Sequence, residues 1–284
     1  MSLKNWTLLI ILSIVWGGSF YFIEKSLVYF TFEQTVFFRV FFASIFILLV
    51  LLIKRIKIIL DLKLFGMFFV MGSLNNVIPF LSITYAQETI TASLASLLNA
   101  TTPIFTAVLA HFLTKDEKIS FLKLIGILIG FVGIIILLLP HSFGDFEIAG
   151  TFAILAAISY AFAGVFGKKL KDYNPIFNVF GMLSASSIIM YCLFFSSINN
   201  MEVKSLYQFK DLILLAIVST SIAYIIYFRL LFSVGAVKLL LVTYLIPISA
   251  SLLGIFLLNE EFTINMLFGA GIIFVSLWLI NKKQ

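Results

Sequence analysis

The chain has 284 residues, of which 62% are hydrophobic and only 11% charged, and its mean hydropathy is +1.16. Soluble domains carry about 25% charged residues, so this composition excludes a water-facing globular surface. The single cysteine and two histidines exclude an intramolecular disulfide and a multi-cysteine metal cluster. We therefore expect a protein embedded in a lipid bilayer, with no metal site and no cofactor.

Ten apolar stretches, each about as long as a membrane-spanning helix, follow one another along the chain. Nine of them contain no charged residue, and a tenth, 34–53, is interrupted only by Arg39. The nine run 5–23, 64–87, 89–114, 124–144, 148–167, 173–201, 212–228, 239–259 and 262–281. About 20 apolar residues cross a bilayer as an α-helix, whereas barrel strands alternate in hydrophobicity. We therefore predict an all-α integral membrane protein with ten transmembrane helices. The predicted spans are 5–27, 34–53, 64–87, 91–114, 120–140, 148–168, 175–198, 210–231, 236–258 and 262–281.

The lysines and arginines predict the orientation of these spans. If the N-terminus is cytoplasmic, 15 of the 19 basic residues fall in cytoplasmic segments, three fall on the other side, and Arg39 lies within a span. Cytoplasmic loops of membrane proteins carry an excess of lysine and arginine. We therefore expect both termini in the cytoplasm. The net charge of +6 follows from this topology and does not indicate a nucleic-acid partner.

The two halves of the chain, 5–140 and 148–281, repeat one another at an offset of 143–144 residues. The matching residues include Trp16 with Tyr160, Pro103 with Pro247, and Glu117 with Glu260. Each glutamate stands in an acidic turn, and we expect both to cap or brace the helix that follows. Each repeat has five spans, and because this number is odd, the second copy is inverted in the membrane relative to the first. Inverted repeats are typical of secondary transporters.

Four segments carry a resemblance to a known family. They are WGGSFYFIEKSL at 16–27, FFRVFFASIFILL at 37–49, TYAQETITASLASLLNATTPIFTAVLAHFLTKDE at 84–117 and GAVKLLLVTYLIPISASLLGIFLLNEE at 235–261. In order and spacing they resemble the EamA family of the drug/metabolite transporter superfamily, although Tyr160 replaces a tryptophan and Lys238 stands in a usually apolar stretch. The resemblance implies ten helices, cytoplasmic termini, a central cavity between the halves, and export or exchange of amino acids or similar metabolites.

Polar side chains share one face of the fourth span and one face of the ninth. The residues are Asn99, Pro103 and Thr106 in the fourth span, and Thr243, Tyr244 and Pro247 in the ninth. On a helix with about 100° per residue, each set falls within an arc of about 120°. Such a face avoids lipid, so it either lines a cavity or packs against other helices, and we expect it to line a cavity.

Asn75, Asn76 and Pro79 interrupt the third span near its middle. Buried amides need hydrogen-bond partners, so we expect one asparagine to brace a helix contact and the other to face the cavity. Trp16 and Tyr160 stand at matching positions in the two halves. They either stack on a substrate or fill a helix crossing.

Arg39 is the one basic residue that interrupts a charge-free span. It lies near the outer end of the second span, where it can snorkel outward or pair with Glu24 or Glu33. The functional alternative is a fixed positive charge that meets a substrate carboxylate. We therefore include Arg39 among the candidate residues for lining the substrate cavity.

These features predict a secondary-active transporter that exports or exchanges small metabolites, amino acids or related compounds, by alternating access and without catalytic residues. A membrane-embedded enzyme and a channel are the alternatives, although the spans group no histidines and carboxylates, and the inverted repeat favours alternating access. We expect a multi-pass protein of a bacterial inner membrane. It should be monomeric, with a homodimer through Gly126, Gly130 and Gly133 as the other arrangement.

We predict that the loops near residues 57, 118, 170 and 235 face the cytoplasm, because of the distribution of basic residues. A cysteine introduced near residue 57 or 170, in a chain with Cys192→Ala, should not react in intact cells with a membrane-impermeant maleimide. A cysteine introduced near residue 204 serves as the control and should react. Labelling of the first two positions from outside would contradict this topology.

Overall fold

The computed structural model describes residues 1–90, 92–138, 148–201, 203, 205–258 and 263–281. Glu260 of the second acidic turn, the end of the fifth predicted span and the two terminal lysines lie outside the described residues. Every regular element in the described ranges is helical. The α-helices are α1 Leu3–Leu27, α2 Phe32–Ile53, α3 Leu62–Gly72, α4 Ile78–Ala86, α5 Ala92–Asn99, α6 Thr102–Leu113, α7 Phe121–Leu138, α8 Ile148–Gly167, α9 Pro175–Leu193, α10 Phe195–Asn199, α11 Lys210–Ala216, α12 Ala223–Val234, α13 Ala236–Leu240, α14 Val242–Leu258 and α15 Ile264–Asn281.

Polar residues at the helix starts fix several boundaries. The hydroxyl of Thr31 accepts a hydrogen bond from the backbone N–H of Gln34, and the Gln34 side chain accepts one from the Thr31 backbone. The carboxylate of Asp61 caps α3 in a similar way, and the Asn174 side chain caps α9. These groups satisfy N–H donors that have no partner within the helix.

Two of the spans contain a π-helical turn at matching positions. Ser73–Val77 joins α3 to α4, and Ile217–Ile222 joins α11 to α12, at an offset of 144 residues. In the first half, Pro79 has no N–H to donate to the carbonyl of Asn75, four residues before it. That carbonyl instead accepts the hydroxyl of Tyr224 at 2.8 Å, so the interruption predicted near Pro79 is a contact with the other half of the chain.

The described chain is a multi-pass membrane protein by its helix lengths and its surface. Eight helical segments in the described ranges are long and apolar enough to cross a membrane, and two shorter apolar helices lie at Phe121–Leu137 and Ile264–Ile280. Large apolar side chains such as Leu52 and Phe268 are exposed, as expected of a surface that faces lipid. The total of ten spans remains a prediction.

The helix contacts made by one half of the chain have counterparts made by the other half. Helices α2 and α9 pack together, α7 packs along α15, and the contact of α1 with α14 corresponds to that of α8 with α5 and α6. Hydrogen bonds join the same pairs of elements, with donor and acceptor reversed. Ser219 of one π-helical turn donates to the carbonyl of Val15 in α1 at 3.0 Å, and Ser159 of α8 donates to that of Leu74 in the other π-helical turn at 2.7 Å.

The glycines of α7 face α15 of the same chain. A Cβ atom added to Gly126 would lie 2.7 Å from Ile280 Cγ1, and one added to Gly133 would lie 3.0 Å from the side chain of Ile273. Close helix contact is a common use of small residues in membranes. This glycine face is therefore used within the chain, which corrects the alternative that it forms a homodimer contact.

We predict opposite effects for two alanine substitutions in α15. Gly269→Ala should destabilise the protein by about 1–3 kcal/mol, because its Cβ would lie 2.5 Å from Leu137 Cβ and 2.6 Å from the carbonyl oxygen of Gly133. Gly271→Ala is the matched control, since nothing lies within 4 Å of its added Cβ. It should be neutral or stabilise by up to about 1 kcal/mol. Equal melting temperatures of the two variants in detergent would contradict the packing of α7 on α15.

Candidate functional site

A small cavity lies between helices from both halves of the chain. Its volume is about 40 Å³, roughly the space of a single water molecule. A metabolite therefore fits only if the surrounding helices move apart. The cavity is lined by Trp16, Ser19, Phe20, Ile23, Arg39, Phe80, Ile83, Asn99, Tyr160, Tyr224, Tyr227, Leu240, Thr243 and Ile246.

Most of the lining residues come in pairs that the sequence repeat relates. Four pairs are separated by 144 residues: Trp16 with Tyr160, Phe80 with Tyr224, Ile83 with Tyr227, and Asn99 with Thr243. Phe80 and Tyr224 stack directly on each other, with ring centroids 6.4 Å apart and planes inclined by 20°. The cavity therefore lies where the two halves meet, as the repeat predicts for a transporter.

Arg39 places the one guanidinium of this cavity next to an aromatic ring. Its side chain is 4% exposed, Nε donates a hydrogen bond to Thr220 Oγ1 at 2.8 Å, and Cζ lies 3.6 Å from the centroid of Phe80. A cation over a ring face gains about 2 kcal/mol when both groups are desolvated. Among the described residues, no carboxylate lies within 4 Å of the guanidinium, and neither Nη atom donates a hydrogen bond.

This position corrects the structural expectation for Arg39. The sequence favoured snorkelling toward the outer surface, or a pair with Glu24 or Glu33. The side chain instead points inward to α12 and its preceding turn, where the hydroxyl of Thr220 receives its Nε–H. The π-helical turn at Ile217–Ile222 brings that hydroxyl to the end of the long arginine side chain, and hydropathy alone gives no sign of this contact.

The aromatic residues form a continuous wall along one side of the cavity. The Trp16 ring lies 6.3 Å from Tyr224 and 6.2 Å from Tyr227, and the two tyrosine rings meet edge to face at 5.7 Å. Such contacts add to the stabilisation from area burial and limit how the rings can turn. Tyr224 is held further by its hydrogen bond to Asn75.

Five of the eleven candidates from the sequence lie in the cavity lining: Trp16, Arg39, Asn99, Tyr160 and Thr243. Asn75 and Asn76 instead contact the second half from the π-helical turn. Asn76 Nδ2 donates to Ser186 Oγ at 2.8 Å, while Asn75 Nδ2 lies 3.5 Å from the Met182 sulfur. Both asparagines therefore brace a helix contact, whereas we expected one of them to face the cavity.

The other four candidates are buried beside the cavity lining rather than in it. Thr106 donates to the carbonyl of Thr102 at 2.7 Å, and Pro103 lies in the first turn of α6 after the helix break. Tyr244 reaches α7, where its hydroxyl donates to the carbonyl of Ile127 at 2.7 Å. Pro247 is buried inside α14.

Sequence reasoning missed Phe80, Tyr224 and Tyr227. All three look like ordinary apolar filler in a chain with 33 phenylalanines and 10 tyrosines. The available signal was the repeat, because the offset of 144 residues relates Phe80 to Tyr224.

A second cavity, of about 460 Å³, lies at a lysine-rich end of the helices, where five lysines line it. Here the carboxylate of Glu117 joins three separate parts of the chain. It accepts hydrogen bonds from the backbone N–H groups of Ala236 and Val237 at 3.0 and 2.8 Å, and from Lys168 Nζ at 2.8 Å. Glu117 therefore caps α13 in the other half, not α7, which follows it in sequence.

Gly235 and Lys168 complete this contact, which we call the Glu117 tie. Gly235 has φ +84, and a Cβ atom there would lie 2.5 Å from the carboxylate of Glu117, so a larger residue would be both strained and obstructed. Lys168 also pairs with the exposed Asp116. Its hydrogen bond lowers the pKa of that carboxyl.

The comparisons with known proteins decide the family. The model of the EamA-like transporter family matches residues 4–139 and 148–282. The chain belongs to the EamA-like transporter family. It is 25% identical to an uncharacterized transporter of Archaeoglobus fulgidus. The alignment covers 99% of this chain and 100% of that protein. It is 27% identical to a Rickettsia prowazekii S-adenosylmethionine uptake transporter, over 72% of this chain and 68% of that protein.

A solved crystal structure also has the fold of this EamA-like transporter. The TM-score is 0.77 over 98% of this chain and 97% of the other, at 14% sequence identity. At this identity the likeness concerns the fold alone. Together, the family and the named relatives assign the chain a general role in membrane transport.

We predict that the Glu117 tie holds its end of the transporter closed. Glu117→Gln should lower the free energy of unfolding by about 1–3 kcal/mol, because hydrogen bonds to a charged carboxylate are stronger than those to an amide. It should also speed the reaction of a thiol reagent with Ser19→Cys in the central cavity. Asp116→Asn is the control, since the Asp116 side chain is 68% exposed and contacts only Lys168 within the tie. The same labelling rate in both variants would show that this end does not limit access.

Proposed function

We propose that this protein is a secondary-active transporter that exports or exchanges small metabolites, amino acids or related compounds, by alternating access. Ten transmembrane helices form two inverted halves, 5–140 and 148–281, with both termini in the cytoplasm. The protein resides in a bacterial plasma membrane as a monomer. Family membership and the transporter relatives support the general role, and the central cavity supports the substrate class.

The observation that carries this proposal is the state of Arg39. The guanidinium is almost fully buried, and no carboxylate of a described residue lies within 4 Å of it. Removing such a charge from water costs several kcal/mol, and an anionic partner offsets that cost. A substrate carboxylate is the partner that a metabolite transporter provides, and the two Nη atoms can bind its two oxygens side by side.

The packing of the two halves supports alternating access. The cavity lies between them, the Glu117 tie joins them at the lysine-rich end, and the cavity volume of about 40 Å³ requires movement before a substrate can bind. A site at the interface between repeats opens to either side when one half rocks against the other. By the distribution of basic residues, the tie lies on the cytoplasmic side.

We predict that Arg39→Ala abolishes exchange and that Arg39→Lys retains part of it, because lysine keeps the charge but loses the planar pair of donors. The measurement is counterflow of a radiolabelled amino-acid mixture in proteoliposomes. Saturable exchange is expected of a transporter, whereas an ohmic current would indicate a channel and product formation an enzyme.

Arg229→Ala is the matched control for Arg39→Ala, since Arg229 lies near the cytoplasmic end of the apolar helical segment Leu206–Val234 and is exposed. It should retain exchange. Melting temperatures of the purified variants separate loss of the site from loss of the fold. Wild-type kinetics in a folded Arg39→Ala protein would remove Arg39 from the substrate site.

A further inference from the structure

Most hydroxyl groups around the central cavity already have partners. Ser19 donates to the carbonyl of Trp16 at 2.6 Å, Thr243 donates to that of Leu240 at 2.9 Å, and Tyr224 donates to Asn75. These groups are committed to the helices that carry them or to the contact between the halves. They are therefore poor candidates for substrate binding.

The hydroxyl of Tyr227 is different. Tyr227 is 1% exposed, and its Oη is buried without a hydrogen-bond partner among the described residues. Its ring lies in the cavity lining and meets Phe228 edge to face at 5.3 Å, in addition to Trp16 and Tyr224. A buried hydroxyl without a partner is unfavourable, so this one requires an explanation.

The unused groups of the cavity are mainly hydrogen-bond donors. Arg39 offers its two Nη atoms, and the Tyr160 and Tyr227 hydroxyls make no hydrogen bond to a described residue. No carboxylate is present among the lining residues. Asn99 carries an acceptor oxygen, but Thr102 Oγ1 already lies 3.4 Å from it. The cavity therefore suits a ligand that accepts hydrogen bonds and carries negative charge, because the charged residue in its lining is Arg39, and it offers an ammonium group only neutral hydroxyl oxygens and ring faces.

The two kinds of donor come from opposite halves. Arg39 belongs to α2, whereas Tyr160 and Tyr227 belong to α8 and α12. The residues related to these tyrosines by the repeat, Trp16 and Ile83, carry no hydroxyl. A carboxylate bound between Arg39 and the tyrosines would therefore contact both halves at once.

Resting on the proposed function, we propose that the substrates are organic carboxylates with an apolar or aromatic body, for which an ammonium group is not required. The Tyr227 hydroxyl donates a hydrogen bond to the carboxylate that Arg39 holds, and it is a specificity-determining residue. Trp16, Phe80 and Tyr224 enclose the apolar part. Cations with the same body are excluded by the charge of Arg39.

Two matched Tyr→Phe substitutions separate recognition from structure. Tyr227→Phe removes a hydroxyl that has no partner within the described chain, so the melting temperature without ligand should be unchanged or higher. Tyr244→Phe removes a hydroxyl that donates to Ile127 from outside the cavity lining, so the melting temperature should fall. Carboxylate binding should respond in the opposite way, weakening only in Tyr227→Phe.

The experiment measures ligand-dependent melting temperatures of the full-length protein in detergent. The probes are N-acetyl-L-phenylalanine, L-phenylalanine and L-phenylalaninamide, which share a body. At an assay pH of about 6 they are an anion, a zwitterion and a cation, because this pH lies below the pKa of the amino group. The first two should raise the melting temperature of the wild type, and the amide should not. In Tyr227→Phe, the probe concentration needed for a given rise in melting temperature should increase about tenfold or more, as expected for loss of a hydrogen bond to a charged group.

Each outcome has a distinct meaning. Stabilisation by the amide equal to that by the anion would overturn the carboxylate preference. The same melting-temperature rise at the same probe concentrations in Tyr227→Phe and the wild type would overturn the role of the Tyr227 hydroxyl. If none of the probes stabilises the wild type, the carboxylate class is wrong. Counterflow in proteoliposomes then tells whether the transporter function also fails, because that assay does not depend on these probes.

Discussion

The lipid around this protein offers polar groups no hydrogen bonds, and the contacts between its halves follow from where those groups find partners. The carbonyl that Pro79 leaves free is bound by Tyr224, and the hydroxyls of Ser159 and Ser219 reach carbonyls on the opposite half. Each of these bonds replaces one that water would make in a soluble protein. Because the partners lie on different halves, satisfying them fixes how the halves meet.

Arg39 finds hydrogen-bond partners for only part of its guanidinium group. Thr220 binds Nε and Phe80 covers one face of the guanidinium, but the Nη atoms make no hydrogen bond to a described residue. The hydroxyl of Tyr227, in the other half, also makes no hydrogen bond to a described residue. A ligand that satisfies both would tie the halves together, which would couple recognition of the substrate to closure of the site. The guanidinium lies in one half and the free tyrosine hydroxyl in the other, so a single carboxylate would need both halves to satisfy it.

The lysine-rich end of the protein uses its charges in another way. Glu117 binds Lys168, which directly follows α8, and two backbone N–H groups of α13, so a single carboxylate joins the turn after α6 to two parts of the other half. The positive φ of Gly235 makes room for that carboxylate. This contact must break if the site is to open on that side, whereas the central cavity must widen to receive a substrate. The two events concern different residues and can be perturbed separately.

The sequence by itself determined that the chain is helical and spans a membrane, because long charge-free stretches have no other stable arrangement in lipid. The repeat and its motifs also determined the family, and they identified Trp16, Arg39, Asn99, Tyr160 and Thr243 as candidates that now line one cavity. Only the tertiary structure decided the partners. A face of a helix does not reveal which other helix it meets. The sequence therefore suggests Glu24 or Glu33 as the partner of Arg39 rather than Thr220, and it does not distinguish Tyr227 from the other tyrosines. Long-range contacts depend on the packing of all the helices at once, and local periodicity carries no information about that packing.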